Sequence, residues 1–309
     1  MNKYSYEEIN VCYQANGTLL SLPVHKFEGE PGEVFGISAS IHGDEIIGVE
    51  IARRVVELLK QESTIHGTIK VMPVVNALGF EQVNRCTPID CGNLNRVFPG
   101  SPDGMITERV AHAFLEEFVG TLNHYLDLHS GGREPIVDYV YIQNDEAMSR
   151  AFGSHILYRP TTDYVGSVNI YAKQKGVHCM TVEIGGLAVR EQDIQRGVDG
   201  VMNVLRHKGM IDGKPFEPKD QVVVTYIAHV DPHHGGLMVP GLSIDDLGTI
   251  VEGKVVLARI YNPKTLELLE EIRAPYDRNL IILCRPTVNR AFPGDFSFMI
   301  GDLETAEKN

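Results

Sequence analysis

The sequence predicts an α/β protein with a mostly parallel or mixed central sheet flanked by helices, followed by an all-β region. Two observations predict this fold class: strand-like apolar runs alternate with amphipathic helices up to residue 214, and short β-rich segments separated by glycine and proline fill residues 215–309. Strands that alternate with helices form a sheet covered on both faces, and ligands bind beyond the carboxyl ends of its strands. We therefore divide the chain into domains of residues 1–214 and 215–309.

The elements of the first domain follow from hydrophobic periodicity. GEVFGISASI is predicted as a strand, IGVEIARRVVELLKQE as an amphipathic helix and GTIKVMPVVN as a second strand, which together make one βαβ unit. ITERVAHAFLEEFVGTL is predicted as the next helix, because Ile106, Val110, Phe114 and Phe118 lie on one face. The runs HYLDLHSGG and KGVHCMTVEIGG are then strands that end in glycines, and DIQRGVDGVMNVLRHKG is the last helix.

The second domain is predicted from shorter strands, which are QVVVTYIAHV, GTIVEGKVVLARIY and RNLIILCRPT. Glycines and prolines separate them, a pattern typical of a small barrel or sandwich. The pattern resembles the lipoyl/biotinyl carrier modules in architecture only. Those carriers present a lysine in a tight hairpin, and nothing in residues 215–309 matches that arrangement.

Composition and charge exclude several classes of function. The chain of 309 residues has 28 Lys and Arg against 41 Asp and Glu, a net charge of −13, and an acidic surface repels phosphate backbones, so we expect no nucleic-acid partner. A run of about 20 apolar residues, the length of a membrane span, is absent, and the first residues lack the apolar core of a signal peptide. We expect a cytoplasmic protein with no membrane partner. The five cysteines lack Cys-x-x-Cys spacing, which argues against a thiolate zinc site or a disulfide framework.

Two histidines and a glutamate at predicted strand ends indicate a metal site. His42 and Glu45 are three residues apart at a strand-to-helix junction, so on a first helical turn they lie on one face and can share a cation. His129 ends another predicted strand at the same edge of the sheet. A His-x-x-Glu pair alone is more typical of a surface pair, and the second histidine favours the metal. Two histidines, one carboxylate and an open fourth position are typical of catalytic zinc, so we expect one Zn²⁺ per chain.

Glu183 is the candidate for proton transfer. It lies between a buried-looking strand and the pair Gly185-Gly186, where a carboxylate has little structural purpose. Zinc lowers the pKa of a bound water to about 7, and a carboxylate beside it can take the proton and later return it to a leaving amine. The sequence therefore predicts Glu183 as general base and general acid.

Asn95 and Arg96 allow two interpretations. A planar guanidinium beside a side-chain amide offers several hydrogen-bond donors, which can bind a substrate carboxylate or a polarised carbonyl. Alternatively, Arg96 forms an ion pair with Asp90. The residues alone leave both interpretations open.

Other polar residues have more ordinary interpretations. His233 and His234 lie in a glycine turn and are predicted to be exposed, whereas His178 is predicted to be packed or to contact a ligand residue. Asp44 is predicted to cap the following helix or to orient a ligand. Asp127 alternates to the same strand face as His129 and could contact it.

The segment after the predicted third ligand is expected to determine specificity. Some of its tyrosines could line a pocket or pack on a strand; they are Tyr139, Tyr141, Tyr158, Tyr164 and Tyr171. Lys173 and Arg159 could meet an acidic side chain of the substrate.

Four fragments occur in an order that resembles the succinylglutamate desuccinylase/aspartoacylase family, a branch of the zinc carboxypeptidase-like (M14) fold. They are HGDE, NLNRVF, DLH and VEIGG, and the likeness covers most of the chain. The roles that the resemblance implies are zinc binding for His42, Glu45 and His129, proton transfer for Glu183, and binding of the substrate carboxylate for Asn95 and Arg96. The string TPIDCGNLNRVFPG with DLHSGG is closest to the subgroup that includes the N-acetyl-diaminobutyrate deacetylases.

One position departs from the pattern of the family. Aspartoacylases carry an arginine shortly before the Asn-Arg pair that polarises the scissile carbonyl, and the corresponding place in this chain falls near Pro88. Arg85 lies close by, and the resemblance makes it the substitute for this role. In this family the C-terminal β domain leans over the site, which favours small acylated amino acids over peptides.

The resemblance therefore implies a zinc-dependent amidohydrolase that removes a small acyl group from an N-acyl amino acid. Residues 1–214 would be its catalytic domain. A zinc carboxypeptidase acting on peptide C-termini would share every ligand and is the closest alternative. A non-catalytic protein that binds metal or a carboxylate is another, and the presence of Glu183 argues against it. Whether the chain forms a homo-oligomer stays open.

Overall fold

The computed structural model describes residues 2–308 and confirms the predicted fold class. The strands are β1 (Lys3–Tyr13), β2 (Leu19–Glu28), β3 (Glu30–Ala39), β4 (His66–Met72), β5 (His124–His129), β6 (Ile136–Ile142), β7 (Ile156–Tyr158), β8 (His178–Gly186), β9 (Val222–Val224), β10 (Ile227–Val230), β11 (Gly236–Pro240), β12 (Ile250–Glu252), β13 (Val256–Tyr261), β14 (Leu268–Arg273), β15 (Arg278–Cys284), β16 (Asn289–Ala291), β17 (Phe298–Asp302) and β18 (Glu307–Lys308). The α-helices are α1 (Ile46–Leu59), α2 (Ala77–Glu81), α3 (Ile106–Ala113), α4 (Glu146–Ala151), α5 (Val168–Gln174) and α6 (Glu191–His207).

A large mixed sheet spans the described part of the chain. Its main path runs β1-β2-β4-β3-β5-β8-β6-β15-β17-β10, and β12, β7, β9 and β18 attach beside this path. The four strands β4, β3, β5 and β8 are parallel to one another, whereas β2, β6 and β15 join antiparallel. The carboxyl ends of the parallel strands therefore meet at one edge, where ligand sites of α/β sheets form.

Helices cover both faces of the parallel strands, as the alternating pattern predicts. Residues of α1, α4 and α6 share one buried apolar cluster with one face, and residues of α3 and α5 share another with the opposite face. The predicted long helix after residue 106 is α-helical only to Ala113 and continues as a π-helical turn, Phe114–Phe118, and a 3₁₀ turn, Val119–Thr121. Among residues 2–308, no helix has the length and apolar character needed to cross a membrane.

Residues after 215 contribute to both sheets. Strands β14, β13, β11 and β16 form a separate antiparallel sheet, and its Ile260 and Ile272 share one buried cluster with Ile281 and Phe298 of the large sheet. The two sheets thus enclose a common core. At the same time β15 pairs with β6, with Leu283 opposite Val137, so this region is hydrogen-bonded directly to the first one. The division at residues 214 and 215 stays a prediction.

The close packing of α1 on α6 gives a test of the fold. Gly197 of α6 faces Ile51 of α1, and a Cβ atom on Gly197 would lie 2.3 Å from Ile51 Cδ1. Alanine normally stabilises a helix interior by about 1 kcal/mol relative to glycine. Here we expect Gly197→Ala to lower the free energy of unfolding, by about 1–3 kcal/mol, as measured by urea denaturation.

The matched control for this substitution is Ile51→Val, which removes the obstructing Cδ1 atom. In that background the added Gly197→Ala substitution should cost less than in the wild type. A Gly197→Ala protein as stable as the wild type would show that the two helices are less closely packed than described.

Candidate metal centre and active site

Three buried side chains converge at the carboxyl edge of the parallel strands. The Glu45 carboxylate lies between two imidazoles, with Oε1 2.7 Å from His42 Nδ1 and Oε2 2.9 Å from His129 Nδ1. Potential ligand atoms of the three residues all lie within 4.8 Å of one another. The two rings meet edge to face, with centroids 5.0 Å apart. These are the residues that the sequence predicts as zinc ligands, and together they could hold a metal ion.

The turn that carries His42 and Glu45 is held by close backbone packing. Glu45 is the N-cap residue of α1, so both residues precede the helix and do not lie on its first turn. Gly43 packs against α2, where a Cβ atom would lie 2.0 Å from the carbonyl carbon of Gly79. Glycine at this position therefore lets the turn approach the protein interior.

The charges in this cluster depend on one another. Burial disfavours a charged carboxylate, but the neighbouring His42 and His129 hold the pKa of Glu45 well below its usual value. Burial also disfavours the His129 imidazolium, yet Asp127 and Glu45 outweigh it and raise the pKa of His129 well above normal. Burial lowers the pKa of His42, whose Nε2 atom is buried without a hydrogen-bond partner.

Asp127 contacts the far side of the His129 ring. Its Oδ2 atom lies 2.8 Å from His129 Nε2, as the alternation along β5 suggests. A carboxylate only accepts hydrogen bonds, so Nε2 carries the proton and Nδ1 faces Glu45. This arrangement presents the lone pair of Nδ1 to a cation when Nδ1 is deprotonated. Two imidazole nitrogens and a carboxylate oxygen are a donor set that suits zinc.

Glu183 lies beside the cluster on the neighbouring strand. The register of β5 and β8 puts Glu183 opposite His129, and the register of β8 and β6 puts it opposite Tyr139. Burial raises the pKa of Glu183 to about 8, while the positive charges of His129 and Arg85 act in the opposite direction. A carboxyl group with a pKa raised toward neutrality is suited to exchange protons with a substrate.

Arg85 reaches the cluster from the segment after α2. Its Nη1 atom donates a hydrogen bond to Glu45 Oε1 at 3.0 Å, and its side chain is 47% exposed. It thus lies between the three converging side chains and the open space beside them.

Asn95 and Arg96 form a short 3₁₀ turn, Leu94–Arg96, that docks on the first residue of α5. The Asn95 Oδ1 atom accepts a hydrogen bond of 3.0 Å from the Val168 amide, which leaves the Nδ2 group as a donor. The Arg96 guanidinium lies 4.9 Å from the centroid of the Tyr164 ring.

The alternative partner of Arg96, Asp90, is engaged elsewhere. It accepts hydrogen bonds from the backbone of Gly92 and from both the amide and the hydroxyl of Thr107. Within residues 2–308 Arg96 forms no ion pair with Asp90, and its Nη1 atom donates instead to the Asn95 carbonyl at 2.7 Å. The planar face of Arg96 is instead supported by an aromatic ring.

The predicted site residues surround one cavity of about 980 Å³. The predicted site residues that line it are His42, Glu45, Arg85, Asn95, Arg96, His129 and Glu183. Three of the tyrosines with two possible interpretations, Tyr139, Tyr141 and Tyr164, line it as well, and the hydroxyls of Tyr139 and Tyr141 are 3.2 Å apart.

The resemblance implies that the second region leans over the site, but the sequence did not indicate which residues form this wall. Its residues are His229, Leu283, Asn289, Arg290, Phe296 and Met299. No local pattern marks these positions, because their approach to the site depends on the pairing of β15 with β6. Arg133 was also missed, although its place directly after Gly131-Gly132 at the end of β5 could have indicated it.

A buried arginine ties this wall to the loop after β5. The Arg285 guanidinium donates a hydrogen bond to the Glu134 carboxylate, and its Nη1 atom lies 3.5 Å from Asp295 Oδ2. Arg290 adds a hydrogen bond of 3.2 Å to the other oxygen of Glu134. Glu134 therefore neutralises part of the positive charge that the second region brings to the cavity.

The predictions for His233, His234, His178 and Asp44 have different outcomes. His233 and His234 are exposed, as predicted. The prediction for His178 is wrong: its side chain is 57% exposed at the start of β8, the end opposite the site. Asp44 does not cap α1, and its Oδ1 atom is buried without a partner.

The two cations proposed to meet an acidic substrate are already paired. Lys173 Nζ lies 2.6 Å from Asp163 Oδ1. Arg159 binds Glu146 and Glu307 and does not line the cavity. Strand pairing of β7 with β9 carries Arg159 away from the site, which the sequence alone does not reveal.

The docking of the Asn95 turn gives a test that is independent of activity. Asn95→Ala removes the acceptor of the Val168 amide, and a lost hydrogen bond of this kind costs about 1–2 kcal/mol. We expect faster hydrogen–deuterium exchange of the segment 164–168, measured by mass spectrometry. Thr162→Ala, on the same loop, is the control and should leave exchange unchanged. Equal exchange in the wild type and in Asn95→Ala would contradict the described hydrogen bond.

Known proteins resemble this chain in sequence. The family profile described as the succinylglutamate desuccinylase/aspartoacylase catalytic domain matches residues 31–208. The N-alpha-acetyl-L-2,4-diaminobutyric acid deacetylase of Halomonas elongata is 28% identical over 264 residues, which cover 78% of this chain and 74% of that protein.

Solved structures share the fold. A succinylglutamate desuccinylase from Silicibacter sp. TM1040 superposes with a TM-score of 0.84 at 23% identity, covering 97% of this chain and 94% of its own. The product-bound ectoine utilization protein EutE from Ruegeria pomeroyi gives a TM-score of 0.83 at 24% identity, covering 97% of this chain and 95% of its own. Because the family profile matches more than half of the sequence, the chain belongs to the succinylglutamate desuccinylase/aspartoacylase family, whose members are deacylases acting on amide bonds.

Proposed function

We propose that the protein is a zinc-dependent deacylase that hydrolyses the amide bond of a small N-acyl amino acid. The observation that carries the proposal is the position of Glu183 directly across the strand from His129, in the same cavity as Arg96. A metal-ligand set, a proton-transfer group and a cation that has no carboxylate partner among the described residues therefore share one space. Membership of a deacylase family and the likeness to an acetyl-diaminobutyrate deacetylase support the same activity.

One zinc ion per chain would be held by His42, Glu45 and His129. The donor set has the composition of a catalytic site with three protein ligands. When bound, zinc supplies a Lewis acid that polarises the acyl carbonyl and makes water a stronger acid. Displacement of the protons now shared among the two imidazoles and the carboxylate would accompany binding.

Glu183 is the proposed proton carrier. Its carboxylate takes a proton from the attacking water as the new C–O bond forms, and the proton then passes to the nitrogen as the C–N bond breaks. The products are a free carboxylic acid and a free amine. Arg85 lies at the open side of Glu45, where its guanidinium can donate to the carbonyl oxygen of the acyl group as negative charge develops there.

We assign the binding of the substrate carboxylate to Asn95 and Arg96. The Nδ2 group of Asn95 and the guanidinium of Arg96 are the donors that line this part of the cavity. Because Tyr164 and the Asn95–Val168 hydrogen bond support them, both donors are held in place before the substrate binds.

The wall from residues 215–309 completes the cavity. We propose that the region of residues 1–214 supplies the reacting groups and that the second region limits the size of the substrate. A cavity that is walled on this side suits an acylated amino acid better than a long peptide. A peptide substrate would require the wall carrying Arg290 and Phe296 to be open.

Metal content and substrate preference test this function together. We expect about one zinc per chain in the purified protein and release of the acyl group from one or more N-acetyl, N-succinyl or N-aspartyl amino acids. A chelator should abolish the release, and added zinc should restore it. Hydrolysis of dipeptides in preference to these substrates would favour the carboxypeptidase alternative. Zinc binding without any hydrolysis would favour the binding protein.

Glu183→Gln tests the proton-transfer role. The substitution keeps size and hydrogen-bonding capacity but cannot carry the proton, so we expect kcat to fall by about 10²–10⁴ while zinc content stays the same. Glu304→Gln is the matched control, because it is the same substitution at an exposed glutamate that does not line the cavity. Equal losses in both variants, or near wild-type turnover of Glu183→Gln, would remove Glu183 from the mechanism.

A further inference from the structure

A line of buried hydrogen bonds leads from the protein core to the metal centre. The Ser38 hydroxyl contacts the Tyr125 hydroxyl at 2.7 Å and Asp127 Oδ1 at 2.7 Å, and Asp127 continues to His129. Ser38, Tyr125 and Asp127 have no exposed surface. Neither Ser38 nor Tyr125 lines the cavity, so neither can touch a substrate.

The sheet itself creates this line. Tyr125, Asp127 and His129 alternate along β5 and therefore point to the same face. Ser38 lies on β3 as the register partner of Asp127, which brings its short side chain beside the carboxylate. The four groups are thus placed by strand pairing and not by a loop.

The direction of each hydrogen bond follows from the Asp127 carboxylate, which only accepts. Ser38 has a single hydroxyl proton and must give it to Asp127, so Tyr125 donates to Ser38. His129 gives its Nε2 proton to the other oxygen of Asp127. Each oxygen of the Asp127 carboxylate then accepts one hydrogen bond, Oδ1 from Ser38 and Oδ2 from His129. The Nδ1 atom of His129 faces Glu45.

We propose that Ser38 and Tyr125 are positioning residues for the metal centre: they fix Asp127, and through it the proton position and ring orientation of His129. The inference rests on the metal site of the proposed function. Tyr125 lies among apolar residues, with its ring edge-on to Phe114 at 6.3 Å, where phenylalanine would pack equally well. A hydroxyl there costs free energy unless it is bonded, and its one bond leads to the metal centre.

Metal affinity is the readout that tests this inference. The variants are Ser38→Ala, Tyr125→Phe and the double variant, and the probe is cobalt(II) alone, with Kd measured by competition with a coloured chelator. Loss of a group that orients a metal-binding histidine typically weakens binding by about 10–100-fold. We expect a loss of this size for Ser38→Ala and a smaller one for Tyr125→Phe. The double variant should be no weaker than Ser38→Ala, because Tyr125 acts through Ser38.

The control is Ser149→Ala, another fully buried serine, which lies in α4 away from the site and whose hydroxyl donates to the carbonyl of the N-cap residue Asp145. It should lose stability without any change in Kd. The visible absorption bands of bound cobalt(II) should shift in Ser38→Ala and Tyr125→Phe but not in Ser149→Ala, since they report the geometry of the ligands and not the stability of the fold.

A wild-type Kd and an unchanged cobalt spectrum in Ser38→Ala would overturn this inference and leave the proposed function standing. Absence of cobalt and zinc binding by the wild-type protein would overturn the metal site and this inference together. If Ser38→Ala does not fold, Tyr125→Phe decides, because it removes a single oxygen atom: weaker binding supports the role, and unchanged binding with an unchanged spectrum rejects it.

Discussion

The buried carboxylate of Glu45 is the constraint around which the site is organised. A charge without partners in a protein interior costs several kcal/mol, and Glu45 avoids this cost through His42, His129, Arg85 and the Ser130 amide. These partners come from the β3–α1 turn, the end of β5 and the segment after α2. The side chains that surround Glu45 make burial of its charge tolerable, and two of them, together with Glu45, form a donor set for a divalent cation. The stability of the fold and the ability to bind a metal ion therefore both depend on Glu45.

Strand register gives the site its internal order. Ser38 and Asp127 are register partners across β3 and β5, and His129 and Glu183 are partners across β5 and β8, two residues further toward the carboxyl edge. Ser38 and Asp127, which hold His129, therefore lie one step behind His129 and Glu183, which face the cavity. A slip of one residue would turn every one of these side chains to the opposite face. The apolar clusters on both faces of the sheet oppose such a slip, so the packing of the core also protects the chemistry.

The parts of the site that could be predicted from the sequence are those with a local signal. His42, Glu45, His129 and Glu183 each lie at a strand end beside a glycine, and the parallel arrangement of strands brings such ends together. The β1–β2 hairpin was not predicted, because most of β1 is exposed and the periodicity that marks buried elements is weak there. His178 was misjudged because its strand is buried only beyond its first residue. Arg290 and Phe296 approach the cavity through strand pairing between distant segments, for which a single sequence offers no signal.

The clamp between Arg285 and Glu134 joins positions 151 residues apart in the chain. Contacts of such long range form late, since closing a long loop costs entropy before any contact is gained. During synthesis, β6 is complete well before β15 has left the ribosome, and the start of β6 then lacks its antiparallel neighbour. The apolar side chains of Ile136 and Val137, buried in the finished protein, are uncovered in that interval. An unpaired strand edge of this kind promotes association with other chains. We therefore expect the nascent protein to associate most readily before β15 pairs with β6.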